Sequence, residues 1–240
     1  MVDHLAVVEK GRAALLAGEL SLEAPPAEGR PRWGVSMLLR PDPAMLGTLA
    51  AFAAEADVVA GGGQWAHGPA LLHVSLRALQ PYCDDPILDG YAEALHEAVA
   101  GIPAIPATVR TVGPHAQGIA VHVHPEGPAL DDLYARLGTA LSDRGLSDLE
   151  YRTRDLWYCN VLHFAAPVDV AALVRWCDER RDHVFGETVL SAAEMVRYRF
   201  ADGAMRAVTL HSEIFGAGDF GAGDTAKDGP AMAVMSNGER

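Results

Sequence analysis

Residues 71–79 read LLHVSLRAL, an apolar run in which a polar group recurs at every second position from His73. On a β-strand successive side chains point to opposite faces. Leu71, His73, Ser75 and Arg77 are therefore expected on one face, and Leu72, Val74, Leu76 and Ala78 on the other. The second face suits a core. The first carries an imidazole, a hydroxyl and a guanidinium, side chains that move protons and hold anions. What this polar face meets decides the architecture.

Outward from this strand, the chain reads as a repeated order of elements. Before it, WGVSMLLR (33–40) is a strand, and the following helix has Asp42 as N-cap, Pro43 at its first position and Met45, Leu46, Leu49 and Phe52 on one side. The glycine-rich GGGQWAHGP (61–69) reads as a flexible loop. After the strand, Asp85 and Pro86 are expected to start a helix with the stripe Ile87, Leu88, Tyr91, Leu95 and Val99, ended by Pro103 and Pro106. Two strands follow, ATVRTVG (107–113) and GIAVHVH (118–124), and then a helix over 128–144.

A second decorated strand, LWYCNVLHF (156–164), precedes a helix from Asp169. Its period predicts His163 on one face with Cys159, Val161 and Ala165, and Leu162 and Phe164 opposite. TVLSAAEMVRYRF (188–200) and MRAVTLHSEI (205–214) read as a closing antiparallel pair. His73 and His163 thus occupy matching places in two half-chains. This order predicts an α+β fold of two pseudo-symmetric lobes, each of antiparallel sheet plus helices, around a central cleft. Residues 1–31 form an N-terminal helix (within 3–18) and a turn-rich linker, 32–215 the bilobal domain, and 216–240, rich in Gly and small polar residues, a flexible tail.

Composition narrows the partners. The 240 residues carry a formal charge of −13, with Lys10 and Lys227 as the only lysines. Such a balance opposes binding to extended nucleic acid or an acidic membrane surface, but leaves room for a small anion held by local arginines. Cys83, Cys159 and Cys177 lack CxxC spacing, the N-terminus lacks a signal pattern, and no apolar run approaches the roughly 20 residues that span a bilayer. A soluble, cytoplasmic protein is expected.

With His73 and Ser75 in HVSL and His163 in HFAA, flanked by RWGVSMLLRPD before and VRYRFADGAMRAV after, residues 32–214 resemble the 2H phosphoesterase superfamily, most closely its bacterial 2'-5' RNA ligase-like branch. That resemblance implies a bilobal fold with two H-x-[ST]-x motifs, acting without a metal on 2',3'-cyclic or 2',5'-linked phosphodiesters of a small, nucleotide-like substrate. It makes His73 and His163 the general acid and base, and Ser75 a donor to phosphate oxygens. Arg77, placed on the same face by strand period, would add a bidentate fork for phosphate. No cofactor and no metal are assigned.

The second motif departs from the pattern at Ala165, which cannot donate a hydrogen bond. A bond to a charged group is worth about 1.5–3 kcal/mol, or roughly one to two decades in affinity. This departure suits two alternatives: a scaffold repurposed for non-phosphate acid/base chemistry on a biosynthetic metabolite, such as elimination, cyclisation or isomerisation, or a ligand-binding protein without turnover. Among other motifs, His122 and His124 form an HxH whose spacing suits two ligands on zinc or iron, but the sequence places no third ligand beside them, and a polar outward face explains them. Arg197 and Arg199 are expected to face solvent, with the cleft mouth as the alternative, and GAGDFG (216–221) lacks the following helix of a dinucleotide site. Trp65, Trp157 and Tyr158 are core aromatics or stacking partners for a base.

Overall fold

The computed structural model describes residues 3–29, 32–82, 86–87, 90–150, 154 and 156–216. Among the described residues, five helices, α1 (His4–Leu16), α2 (Pro43–Val59), α3 (Gly90–Val99), α4 (Ala129–Asp143) and α5 (Val170–Glu179), accompany one sheet. Its strands are β1 (Val35–Leu39), β2 (Trp65–Ala66), β3 (Val74–Gln80), β4 (Ile105–His115), β5 (Gly118–Pro125), β6 (Tyr158–His163), β7 (Val184–Leu190), β8 (Ala192–Ala201) and β9 (Ala204–Ile214).

The order β7-β4-β5-β6-β3-β1-β8-β9, with every pair antiparallel, explains the two lobes. One lobe runs from β7 inward to β6, and the other from β3 outward to β9. The central strands β6 and β3 meet through the pairing of Val74 with Cys159, next to His73 at β3's leading end. The expected bilobal α+β architecture is present.

Local chemistry sets the helices. Asp42 and Asp169 cap α2 and α5 by accepting from backbone N–H groups of the first turn. One face of the sheet packs against helices in a single core that includes Leu49, Leu76, Leu95, Leu137, Leu162 and Leu173. Leu15 of α1 belongs to that core, so the N-terminal helix is part of the body rather than an appendage. Gly11 lets α1 lie directly on β4: a Cβ there would sit 1.8 Å from the Pro114 carbonyl oxygen. The linker is held as well, because Ser21 donates to the Ala116 carbonyl and Glu23 to the Phe164 carbonyl through their backbone N–H groups.

Three expectations change. The helix foreseen from Asp85 begins at Gly90, with Pro86 and Ile87 outside it and Asp85 and Leu88 outside the described residues. The run 188–200 is not one strand. It breaks at Ser191, because β7 pairs with β4 at one edge while β8 crosses to β1 in the other lobe. The glycine loop is not wholly irregular: Trp65 and Ala66 pair with His163 and Leu162. Of the tail, residues beyond Gly216 lie outside the described residues. No helix among the described residues is long and apolar enough to cross a membrane.

Candidate active site

Two β-bulges decide which side chains face the cleft. On β3, Leu38 pairs with Ser75 but Met37 pairs with Arg77, so Leu76 is the extra residue. Directly opposed residues share a face. Ser75 therefore lies on the open face with Leu38, whereas Arg77 lies on the helix-covered face with Met37. There Arg77 pairs with Asp148, donates to the Tyr134 carbonyl at 3.0 Å and lies 4.0 Å from the Tyr134 ring centroid. Gly138 leaves room for it, since a Cβ at that position would be 2.5 Å from an Arg77 guanidinium nitrogen. The expectation that Arg77 grips phosphate beside Ser75 is corrected: strand period fails across a bulge, and the guanidinium is spent on α4 and Asp148.

On β6 the extra residue is Val161, because Ile119 pairs with Leu162 and Ala120 with Asn160. Gly118 pairs with His163 and His122 with Tyr158. His163 thus shares the open face with Asn160 and Tyr158, not with Cys159 and Val161 as an unbroken alternation predicts. Bulges next to functional sites commonly re-aim a side chain in this way.

The hydrogen bonds fix the tautomers. A carbonyl only accepts, so His73 Nδ1–H donates to the Leu71 carbonyl at 2.6 Å. Its Nε2 is then the acceptor, 3.0 Å from the Ser75 hydroxyl and 3.4 Å from the Tyr198 hydroxyl. By the same rule His67 Nδ1–H donates to the Asn160 carbonyl at 3.0 Å, leaving His67 Nε2 to accept. His163 Nδ1 lies 3.0 Å from that nitrogen and donates to it. Both candidate catalytic rings therefore spend Nδ1 on protein and keep a basic Nε2.

Their charge follows from burial. Desolvation pulls His73 down to about 4, with Arg40 and Arg154 adding to the effect. Desolvation and the neighbouring His67 and Arg32 pull His163 down to about 2. His67, 2% exposed, is lowered to about 3 by burial and by His73. At neutral pH the free site holds uncharged imidazoles, and a proton becomes stable there when an anion arrives to pair with it.

Aromatic side chains line the space between them. Trp33 and Trp65 stack at 4.9 Å, and the Trp33 ring also lies 5.8 Å from His163, 6.4 Å from His73 and 5.0 Å from Tyr198. Trp33 adopts φ 62°, uncommon for a residue with a side chain. Arg32 sits over Trp65 at 4.9 Å and pairs with Glu23. At the departing position, the backbone N–H groups of Ala165 and Ala166 both donate to Gln64 Oε1, at 2.9 and 3.2 Å. Gln64 thus ties the loop after His163 to the former glycine loop.

Sequence reasoning missed His67, Trp33, Gln64 and Tyr198. The first and third lie in a stretch whose glycines mask a two-residue strand, and Trp33 acts through its turn conformation. Tyr198, not its neighbours Arg197 and Arg199, faces the site. Trp157 is buried, its Nε1–H donating to Asp131 at 2.9 Å, while Trp65 lines the site. Cys159 and Cys177 are buried free thiols, and Cys83 lies outside the described residues.

The two lobes of antiparallel sheet, joined at β6 and β3 and carrying helices, form a fold seen in E. coli LigT and in a structure described as a phosphoesterase. Solved structures share this fold. E. coli LigT complexed with 3'-AMP superposes with a TM-score of 0.55 at 12% identity, over 78% of this chain and 99% of its own. A Thermus thermophilus protein gives 0.57 at 14% identity over 78% and 99%, and a phosphoesterase gives 0.52 at 11% over 77% and 99%. LigT complexed with ATP and with NADP+ also matches, at a TM-score of 0.53 in each case. No protein-family model and no curated protein matches the sequence.

Proposed function

We propose that this protein is a phosphodiesterase that opens a small 2',3'-cyclic or 2',5'-linked nucleotide by two-histidine acid/base catalysis, without using a metal at that centre. The observation that carries it is the matched tautomer pair: His73 and His163 each anchor Nδ1 on protein and hold Nε2 as the working nitrogen. In the hydrolysis of a cyclic ester, water attacks phosphorus as one neutral imidazole takes its proton. The P–O bond to the ribose breaks as the other, protonated ring gives its proton to the leaving oxygen. The step leaves the first ring protonated and the second neutral, and proton exchange with solvent returns both to their starting states before the next turnover.

Ser75 donates to a phosphate oxygen by rotating its hydroxyl away from His73. In the second half-site the missing hydroxyl at Ala165 is replaced by charge: Arg32 is the guanidinium whose field reaches both His67 and His163. The stacked Trp33 and Trp65 offer a flat face for a base. His67 is a positioning residue that orients the His163 ring. The nucleotides in the LigT structures, 3'-AMP, ATP and NADP+, support a ligand of this chemical class.

Ala165 favours one second reading, a scaffold whose acid/base pair serves a non-phosphate metabolite. Both are tested by assaying 2',3'-cyclic nucleotides and 2',5'-linked dinucleotides with wild type and Ala165→Thr. Turnover by wild type, raised up to about tenfold by the threonine, is the expected result. Turnover that appears only in Ala165→Thr identifies a repurposed site, and none in either protein refutes the phosphodiesterase.

A further inference from the structure

The open face that carries His163 and Asn160 continues along β5 to His122 and His124, two residues apart and free of any bulge between them. Helix α1 brings a third imidazole onto this pair. His4 Nδ1 lies 3.0 Å from His122 Nδ1, and the His4 ring centroid is 4.1 Å from that of His124. One ring nitrogen from each of the three lies within 4.8 Å of the other two. Two nitrogens bound to tetrahedral zinc at about 2.0–2.1 Å stand roughly 3.3 Å apart, so the set needs only small ring rotations to close on an ion.

Independent features point to a ligand. His124 Nε2 is buried and has no hydrogen-bond partner among the described residues, a costly state for a polar atom unless something completes it. His122 is 2% exposed, and its seat requires Gly113: a Cβ there would be 2.8 Å from His122 Nε2 and 3.4 Å from a methyl of Val8. Beyond His4 and His124 opens a cleft of about 560 Å³ that Asp3, Asp131 and Asp182 line against a single guanidinium, Arg110. Its excess of carboxylates suits a cation.

We propose that His4, His122 and His124 form a three-histidine site for a divalent transition metal of the zinc class, with the fourth coordination position open to this cleft. The ion ties the first turn of α1 to the middle of β5, residues 118 apart in the chain, and thereby fixes the N-terminal helix across β4. Three neutral imidazoles and an exchangeable fourth position are the donor set zinc accepts. The site is distinct from the two-histidine centre, to which His67, His73 and His163 belong.

Chelator-stripped full-length protein, titrated with Zn²⁺ by calorimetry and with Co²⁺ by visible absorption, tests this. One equivalent per chain with micromolar or tighter affinity is expected, with cobalt giving the intense bands of four-coordinate geometry. His4→Gln, at the partly exposed start of α1, and His124→Gln should each weaken binding at least 100-fold, while His163→Gln should leave it unchanged. Zinc should raise the melting temperature of the wild type but not of His4→Gln, with circular dichroism verifying that each variant is folded. Absence of stoichiometric binding, binding that survives both His4→Gln and His124→Gln, or binding lost in His163→Gln overturns the assignment. The last outcome would place the ion at the phosphoryl centre instead. Hydrolysis of a cyclic nucleotide in the presence of chelator keeps the two proposals separable.

Discussion

Alanine in place of His163 is expected to lower kcat/KM on a 2',3'-cyclic nucleotide by about 10²–10⁴-fold, the range that a positioned acid or base supplies. His73→Ala should fall in the same range. The double variant should be little worse than either single one, because an acid and a base that act in one step are lost together. The effect must be catalytic rather than structural. His163 is 5% exposed and its loss leaves His67 Nε2 without its donor, so a thermal melt belongs beside the assay. A variant that melts near the wild-type temperature yet loses at least 100-fold in rate is the predicted outcome. Equal activity of wild type and both variants would remove the histidines from the mechanism.

The second large effect is expected at a residue with no side chain. Gly118 pairs with His163 at the point where β5 closes on β6, and a Cβ there would lie 1.9 Å from the Leu162 carbonyl oxygen. Gly118→Ala must push the two strands apart, and His163 with them. A displacement of about 1 Å in a reacting group costs on the order of 10²-fold, and overpacking costs about 1–3 kcal/mol of stability. The expected result is a protein that is folded well below its lowered melting temperature but turns over about 100-fold more slowly. Wild-type rates in Gly118→Ala would mean that the site tolerates movement of β6 and needs no fixed geometry at His163.

How much of this was legible in the sequence depends on which signal a residue carries. The lobes were legible because hydrophobic period marks a strand or helix wherever the element is regular, and because His73 and His163 recur in equivalent strands. Ser75 could be placed beside His73 because no bulge separates them. Arg77 could not, since the bulge at Leu76 arises from tertiary pairing with β1, which no local pattern records. The same holds for the face of His163, reset by Val161. Position 67 reads as loop because the strand before it has two residues and depends wholly on β6.

The break between β7 and β8 was hidden for a different reason. Both halves of 184–201 are strand by composition, and only their partners, in opposite lobes, separate them. His4 shows the limit most clearly: a ligand supplied from an N-terminal helix to a strand 118 residues on is visible only once the chain is folded. The HxH is visible in the sequence, and its third member is not.

The most direct measurement is the protonation state of the two imidazoles, read by long-range ¹H–¹⁵N NMR on ¹⁵N-histidine-labelled protein, with His73→Ala and His163→Ala supplying the assignments. In the free protein both rings should be neutral Nδ1–H tautomers at pH 7 and still neutral at pH 5. Their folded values are depressed below the ordinary 6.5, to about 4 for His73 and about 2 for His163. On adding a nucleoside monophosphate, one of the two should take up a proton at Nε2, giving the acid and base of the proposed reaction. Free rings already charged at pH 7, Nε2–H tautomers, or a nucleotide that leaves both signals unmoved would contradict a paired acid/base site built on these two histidines.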